Sequence, residues 1–249
     1  MQITGNTILI TGGTSGIGLA FAQAFHRLGN KVIICGRRQE RLEQIKKENP
    51  GMEIKKCDVQ DATQRKELAG WIIQNFPDVN VLINNAGVQY VTHLTKPVDS
   101  KRVEEEVAIN FIAPVHLSSL FAPHFMAKKD AAIINISSGL AFVPIAMMSV
   151  YCASKAAIHS FCLSLRYQLK DSPVKVFEIA PPSVDTELGH DRRADKTQTH
   201  GGLPVSAFLS EAMEAIKNDV LEAPISHAKG LREKGESLFE GMNSQIQLQ

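Results

Sequence analysis

Short apolar runs and longer segments of helical period take turns along this chain, and that alternation restricts the fold more than any other feature. Thr7–Ile10, Lys31–Cys35, Val79–Ile83, Ala131–Ile136 and Val174–Ile179 have strand length and are rich in Ile and Val, and Glu53–Cys57 alternates as a strand. Between them the sequence predicts helices over Gly16–Leu28, Arg38–Glu48, Ala62–Asn75, Lys101–Met126 and Val150–Lys170. Uninterrupted apolar strands need cover on both faces, which a parallel sheet between two helical layers provides. Right-handed crossovers then give a doubly wound α/β sheet in three layers. Pro204–Val220 returns to helical character and Pro224-Ile225 starts an edge strand, so about seven strands are expected, followed by a polar tail.

Composition narrows the function classes. Lys and Arg number 27 and Asp and Glu 26, a net charge of +1 that offers no global attraction to nucleic acid. No run approaches the roughly 20 apolar residues of a membrane span, and the first residues lack a signal peptide's charged and apolar regions, so the cytoplasm is the expected compartment. Cys35, Cys57, Cys152 and Cys162 form no CxxC pair and no HExxH occurs, so no metal site is expected.

The first strand runs into Thr11-Gly12-Gly13-Thr14-Ser15-Gly16-Ile17-Gly18 and then a helix. Glycines let backbone approach a ligand closely, and the exposed N–H groups of a helix N-terminus bind phosphate. The second strand ends in Gly36-Arg37-Arg38, where an enzyme preferring NAD places an acid against the ribose 2′-hydroxyl. Two arginines suit a 2′-phosphate instead, so NADP(H) is the expected cofactor, with Arg37 the better candidate of the two; NAD(H) is the alternative.

Tyr151 and Lys155 stand four apart in a predicted helix and so share a face. An ammonium beside a phenol favours the phenolate and lowers its pKa from about 10 towards working pH, which makes an acid/base group of the hydroxyl. Ser137-Ser138 ends a buried strand at the carboxyl edge, where doubly wound sheets bind ligands. A serine hydroxyl there holds a carbonyl oxygen beside the phenol.

With these motifs in order, the chain resembles the short-chain dehydrogenases/reductases of single-domain type. Thr11–Gly18 matches their TGxxxGxG loop, Asp58-Val59 their acid–apolar pair at the adenine, Asn84-Asn85-Ala86-Gly87 their NNAG segment, and Asn110, Ser138, Tyr151 and Lys155 their catalytic tetrad. The stretch Ser137–Pro144 together with Val174–Thr186 resembles a bacterial subgroup named for an oxidoreductase encoded with the lipoteichoic acid D-alanylation machinery. The resemblance implies a single Rossmann-like domain over 1–249 with a substrate-covering excursion at about 187–222. It implies hydride transfer between nicotinamide and a carbonyl or secondary alcohol. Tyr151 would move the proton, Ser138 orient the carbonyl oxygen, Lys155 tune Tyr151 and bond the ribose, and Asn110 hold a relay water. The cofactor would rest on Gly12, Thr14, Ser15, Gly16, Ile17 and Gly18, on Arg37 and Arg38, on Asp58 and Val59, on Asn85, Ala86 and Gly87, and on Pro181, Val184 and Thr186, besides Tyr151 and Lys155. Pro182 stands where the family commonly has glycine; proline fixes φ near −65°, so the carboxamide loop must be rebuilt there if it needs positive φ.

An apolar substrate wall is expected from Leu140, Phe142, Val143, Met147, Met148 and Leu188, facing Val88-Gln89-Tyr90. It suits a ketone, aldehyde or alcohol with a hydrophobic body. Arg192, Arg193 and Lys196 form a charged run that solvent accounts for more simply than an anionic ligand. By resemblance, Lys101–Met126 and Val150–Lys170 pair about a two-fold axis in a homodimer or homotetramer. A silent cofactor-binding scaffold, engaging a partner through 187–202, is the reading from another class.

Overall fold

A computed structural model describes residues 1–189 and 201–244. Seven parallel strands form one sheet in the order β3-β2-β1-β4-β5-β6-β7: β1 Thr7–Thr11, β2 Lys31–Gly36, β3 Glu53–Lys56, β4 Val79–Asn84, β5 Ala131–Ile136, β6 Val174–Ala180 and β7 Glu222–Pro224. The helices are α1 Gly16–Arg27, α2 Gln39–Glu48, α3 Ala62–Asn75, α4 Ser100–Val107, α5 Ala113–Met126, α6 Ser149–Gln168, α7 Val205–Lys217, α8 Ala228–Lys234 and α9 Phe239–Asn243.

Strand alternation divides the core. Ile8, Ile10, Val32, Ile34, Ile134 and Phe177 face α1, α2 and α7. Leu9, Ile33, Leu82, Ile133 and Val176 face α3, α5 and α6. Both faces of nearly every strand are therefore dry, which is why the strands read as continuous apolar runs. The strand order reverses beside β1, with β2 on one side and β4 on the other. Loops leaving β1 and β4 diverge there, and the crevice between them at the carboxyl edge is where such sheets take ligands.

Three expectations shift. The helix expected over Lys101–Met126 is two helices joined by a π-turn at Ala108–Ile112. The Ala113 N–H bonds the Ala108 carbonyl, five residues back, and Pro114 has no N–H to give the Asn110 carbonyl. The seventh strand lies at Glu222–Pro224 and so ends, rather than begins, at the proline. Up to residue 244 the polar tail is helical as α8, a short 3₁₀ turn at Gly235–Leu238 and α9.

Part of the expected excursion is core: α7 buries Phe208, Ala212 and Ile216. Phe208 is fully buried and meets Phe21 of α1 edge-on, with ring centroids 6.1 Å apart. Arg192, Arg193 and Lys196 lie outside the described residues. Phe208→Ala should cost about 3–5 kcal/mol of unfolding free energy. Urea unfolding of the two proteins measures it; a loss below about 1 kcal/mol would mean that α7 is not packed as described.

Candidate active site

The glycine loop after β1 is held from behind. Thr11 Oγ1 accepts from the backbone N–H groups of Asn85 and Ala86 at 3.0 and 3.1 Å. Asn85 Nδ2 donates to the carbonyls of Thr11 and Gly12 at 3.0 and 3.2 Å. A Cβ on Gly18 would lie 2.3 Å from that same amide nitrogen, so only glycine leaves room for the brace. Asn84 donates to Asn135 of β5 at 2.9 Å and to Ser118 of α5 at 3.3 Å, joining two strands and a helix beneath the loop.

Above the loop, α1 begins at Gly16 with no side-chain cap from Ser15 and no acid in its first turn. A helix start left without such a cap suits a phosphate. Gly12 and Gly16 take positive φ, 65° and 52°. Thr186 closes over Gly16, where an added Cβ would sit 3.1 Å from Thr186 Cβ. The segment 181–186 contains no positive φ, so Pro182 is accommodated in an ordinary conformation. Val184 bridges to Leu203, and Ser183 and Asp185 exchange backbone bonds with the same residue at 2.8 and 3.0 Å. These residues fit a dinucleotide: a free helix N-terminus, a glycine cradle and a pinned loop after β6.

The two arginines after β2 part company. Arg37 turns to Glu105 at 3.1 Å, whose other oxygen accepts from the Tyr90 hydroxyl at 2.8 Å. Burial, then the bond to Glu105, pushes the Tyr90 phenol up to about 12. Arg38 turns to the glycine loop, donating to Thr14 Oγ1 and Ser15 Oγ at 3.2 and 3.1 Å. Of the two, Arg38 is the one that contacts the loop. Asp58 follows β3, with Oδ1 accepting from the Gln60 N–H at 3.0 Å, and Val59 is buried beside it.

Ser138 follows β5. The N–H groups on either side of it, of Ser137 and Gly139, bond the Ile179 and Pro181 carbonyls at 2.9 and 2.7 Å. Its own orientation is therefore fixed, and Oγ accepts from the Leu140 N–H at 3.1 Å. Tyr151 and Lys155 lie one turn apart near the start of α6, both buried, with Lys155 Nζ 5.7 Å from the Tyr151 ring centre. Nζ donates to the Ile136 carbonyl at 2.9 Å, tying α6 to the end of β5. Burial pushes the Lys155 ammonium down to about 8, opposed by the charge of Glu106.

Asn110 sits in the π-turn. Its Nδ2 donates to the Val88 carbonyl and to Ser154 Oγ, and its Oδ1 accepts from the Val88 N–H, at 2.9, 3.1 and 2.9 Å. A Cβ on Gly87 would lie 3.4 Å from Asn110 Oδ1 and 3.8 Å from Lys155 Nζ. The structure therefore brings Gly87, Asn110, Tyr151 and Lys155 to one place.

Leu140, Met147 and Met148 pack with Tyr151 and Cys152. Phe142 goes elsewhere: its ring lies edge-on to His159 at 5.2 Å and under the Arg232 guanidinium at 5.3 Å. Val143 is fully buried, and Leu188 is 38 % exposed beside Thr186. Sequence reasoning missed what holds the wall. Asn243 of α9 accepts from the Ala146 N–H at 2.7 Å and donates to the Pro144 carbonyl at 3.1 Å. The Cys152 thiol bonds the Ile145 backbone, and burial pushes that thiol up. It also missed Arg41, which with Arg38 grips the Glu187 carboxylate at 3.4 and 3.1 Å. No sequence signal near residue 243 or 187 announces a partner in another loop.

A family model described as short chain dehydrogenase matches residues 6–197. A Bacillus subtilis protein described as uncharacterized oxidoreductase DltE is 44% identical, covering 98% of this chain and 99% of its own. The NADP-dependent 3-hydroxy acid dehydrogenase YdfG of Escherichia coli K12 is 31% identical over 83% of this chain and 86% of its own. Among solved structures, a short chain dehydrogenase of Burkholderia cenocepacia in complex with NADP superposes with a TM-score of 0.81, at 24% identity and 94% coverage of each chain. One from Burkholderia phymatum in complex with NAD gives 0.83, at 23% identity and 93% coverage of each. Both show the same fold. The chain belongs to the short-chain dehydrogenase family, whose oxidoreductase chemistry acts on CH–OH and C=O groups.

Proposed function

We propose that the protein is an NADP(H)-dependent reductase or dehydrogenase of carbonyl compounds and secondary alcohols, with Tyr151 as its acid/base group. The observation that carries this reading is a buried Tyr151 and Lys155 on one turn of α6, with Lys155 bonded to the strand end that precedes Ser138. A nicotinamide held against Gly87 and Thr186 would supply or accept the hydride. Ser138 Oγ orients the substrate oxygen, and Tyr151 delivers its proton to that oxygen on reduction or removes it on oxidation. The Lys155 charge stabilises the phenolate that remains. Asn110, with its side chain committed to Val88 and Ser154, acts by holding the π-turn, which leaves its own carbonyl for a relay water. Arg38, set against Thr14 and Ser15, supports the choice of NADP(H) over NAD(H). The substrate class is an apolar-bodied ketone, aldehyde or alcohol lying on Leu140, Met147 and Met148.

Self-association belongs to the same proposal. Ala153, Ala156, Ser160, Leu163 and Tyr167 share one face of α6, and Leu163 and Tyr167 are exposed. Beside them, Leu94, Val107, Phe111, Val150 and Ala157 line an open apolar groove of about 400 Å³. A closed two-fold pairing of this face would bury it. Among the described residues, no helix is long and apolar enough to cross a membrane.

Three outcomes follow. NADPH consumption against a panel of ketones and aldehydes should detect turnover, and Tyr151→Phe should abolish it while the cofactor still binds; an active variant would refute the role of Tyr151. Burial brings Lys155 down to about 8, so its charge is lost as pH rises through that value and carbonyl reduction should fall with it, approaching tenfold per unit. A rate that stays level to pH 9.5, well beyond about one unit above that value, would separate Lys155 from the proton transfer. Ala156→Arg should reduce the sedimenting mass to that of one chain, and an unchanged mass would place the contact elsewhere.

A further inference from the structure

We propose that Glu187 is a built-in competitor for the cofactor's 2′-phosphate, occupying the anion cradle until a phosphorylated ribose takes its place. The proposal rests on the NADP(H) reading above and concerns one residue that reading does not use.

The cradle is made by two neighbouring elements. Arg38 and Arg41 stand at the start and on the first turn of α2, and Ser15 leads into α1. Arg38 Nη2 donates to Thr14 Oγ1 and Ser15 Oγ, and Arg41 Nε donates to the Thr14 carbonyl at 3.3 Å, so both guanidiniums are aimed by the glycine loop itself. Into them reaches a carboxylate from the far side of the crevice. Glu187 Oε2 accepts from Arg38 Nη1 at 3.1 Å, and Oε1 accepts from Arg41 Nη2 at 3.4 Å. Burial opposes its charge, but Arg38, Ser15 and Arg41 together hold the Glu187 carboxyl below the usual carboxylate range. A carboxylate anchored by two guanidiniums and a hydroxyl marks where an anion is stable.

The contact is strong enough to matter and weak enough to exchange. All three charged side chains are partly exposed, between 39% and 51%, and ion pairs of that kind are screened by water. A phosphate monoester carries close to two charges and three acceptor oxygens where Glu187 offers one charge and two. It therefore outbids the carboxylate for the same donors, yet must first separate it from them. A ribose with a free 2′-hydroxyl has no anion to place there and leaves Glu187 seated. The residue thus subtracts from NADP(H) affinity alone.

The test is calorimetric titration of the full chain with 2′,5′-ADP and with 5′-ADP, for the unaltered protein, Glu187→Gln, Glu187→Ala and Arg38→Ala. Both Glu187 variants should bind 2′,5′-ADP about three- to tenfold tighter, the range set by one or two exposed ion pairs, with 5′-ADP unchanged within about twofold. Arg38→Ala should weaken 2′,5′-ADP about tenfold or more and spare 5′-ADP. If Arg38→Ala discriminates but neither Glu187 variant tightens 2′,5′-ADP, or both tighten the two nucleotides equally, the competitor is refuted and the cofactor reading stands. If the unaltered protein binds both nucleotides alike and Arg38→Ala alters neither, the cofactor reading falls and takes the competitor with it.

Discussion

A lysine ammonium taken out of water needs a partner, and the one Lys155 finds is the last carbonyl of β5. That bond fixes where the first turns of α6 lie against the sheet. Tyr151, one turn earlier, is placed by it, and so is the distance across to Ser138, two residues beyond Ile136. The same burial makes the charge on Lys155 costly, with Glu106 supplying the opposing field. Structure and the proposed chemistry are hard to separate here, because the group proposed to tune the phenol is also the pin between helix and strand.

A second set of constraints meets the first at Gly87 and Asn110. The side chain of Asn110 grips both backbone groups of Val88, so the loop leaving β4 cannot move independently of the π-turn. Asn85, at the other end of that loop, holds the glycine turn. The crevice is thus braced from its floor by the side-chain amides of Asn85 and Asn110.

The inner strands of the sheet were readable in the sequence because β1, β2, β4, β5 and β6 are covered on both faces and must be apolar along most of their length. The spacing of Tyr151 and Lys155 was readable because four residues on a helix fix a face whatever surrounds it. The divergence of Arg37 and Arg38 was not: adjacent residues of one type differ only in where their side chains find acceptors, and Glu105 and Ser15 come from other elements. The π-turn left a trace in Pro114, yet the apolar period continues through it and reads as one helix. Phe142 looked like substrate wall by its place after Ser138, but a ring between His159 and Arg232 answers to α6 and α8. There, His159 Nδ1 lies 2.8 Å from buried Glu178, and Arg232 bonds Glu222. Such contacts depend on the third dimension.

Asn243 closes the loop at Pro144 and Ala146 from 99 and 97 residues further along the chain. Contacts of such long sequence separation form late, after the entropy of a large loop has been lost. The loop at 144–146 therefore stays unlatched until the last residues of α9 are in place.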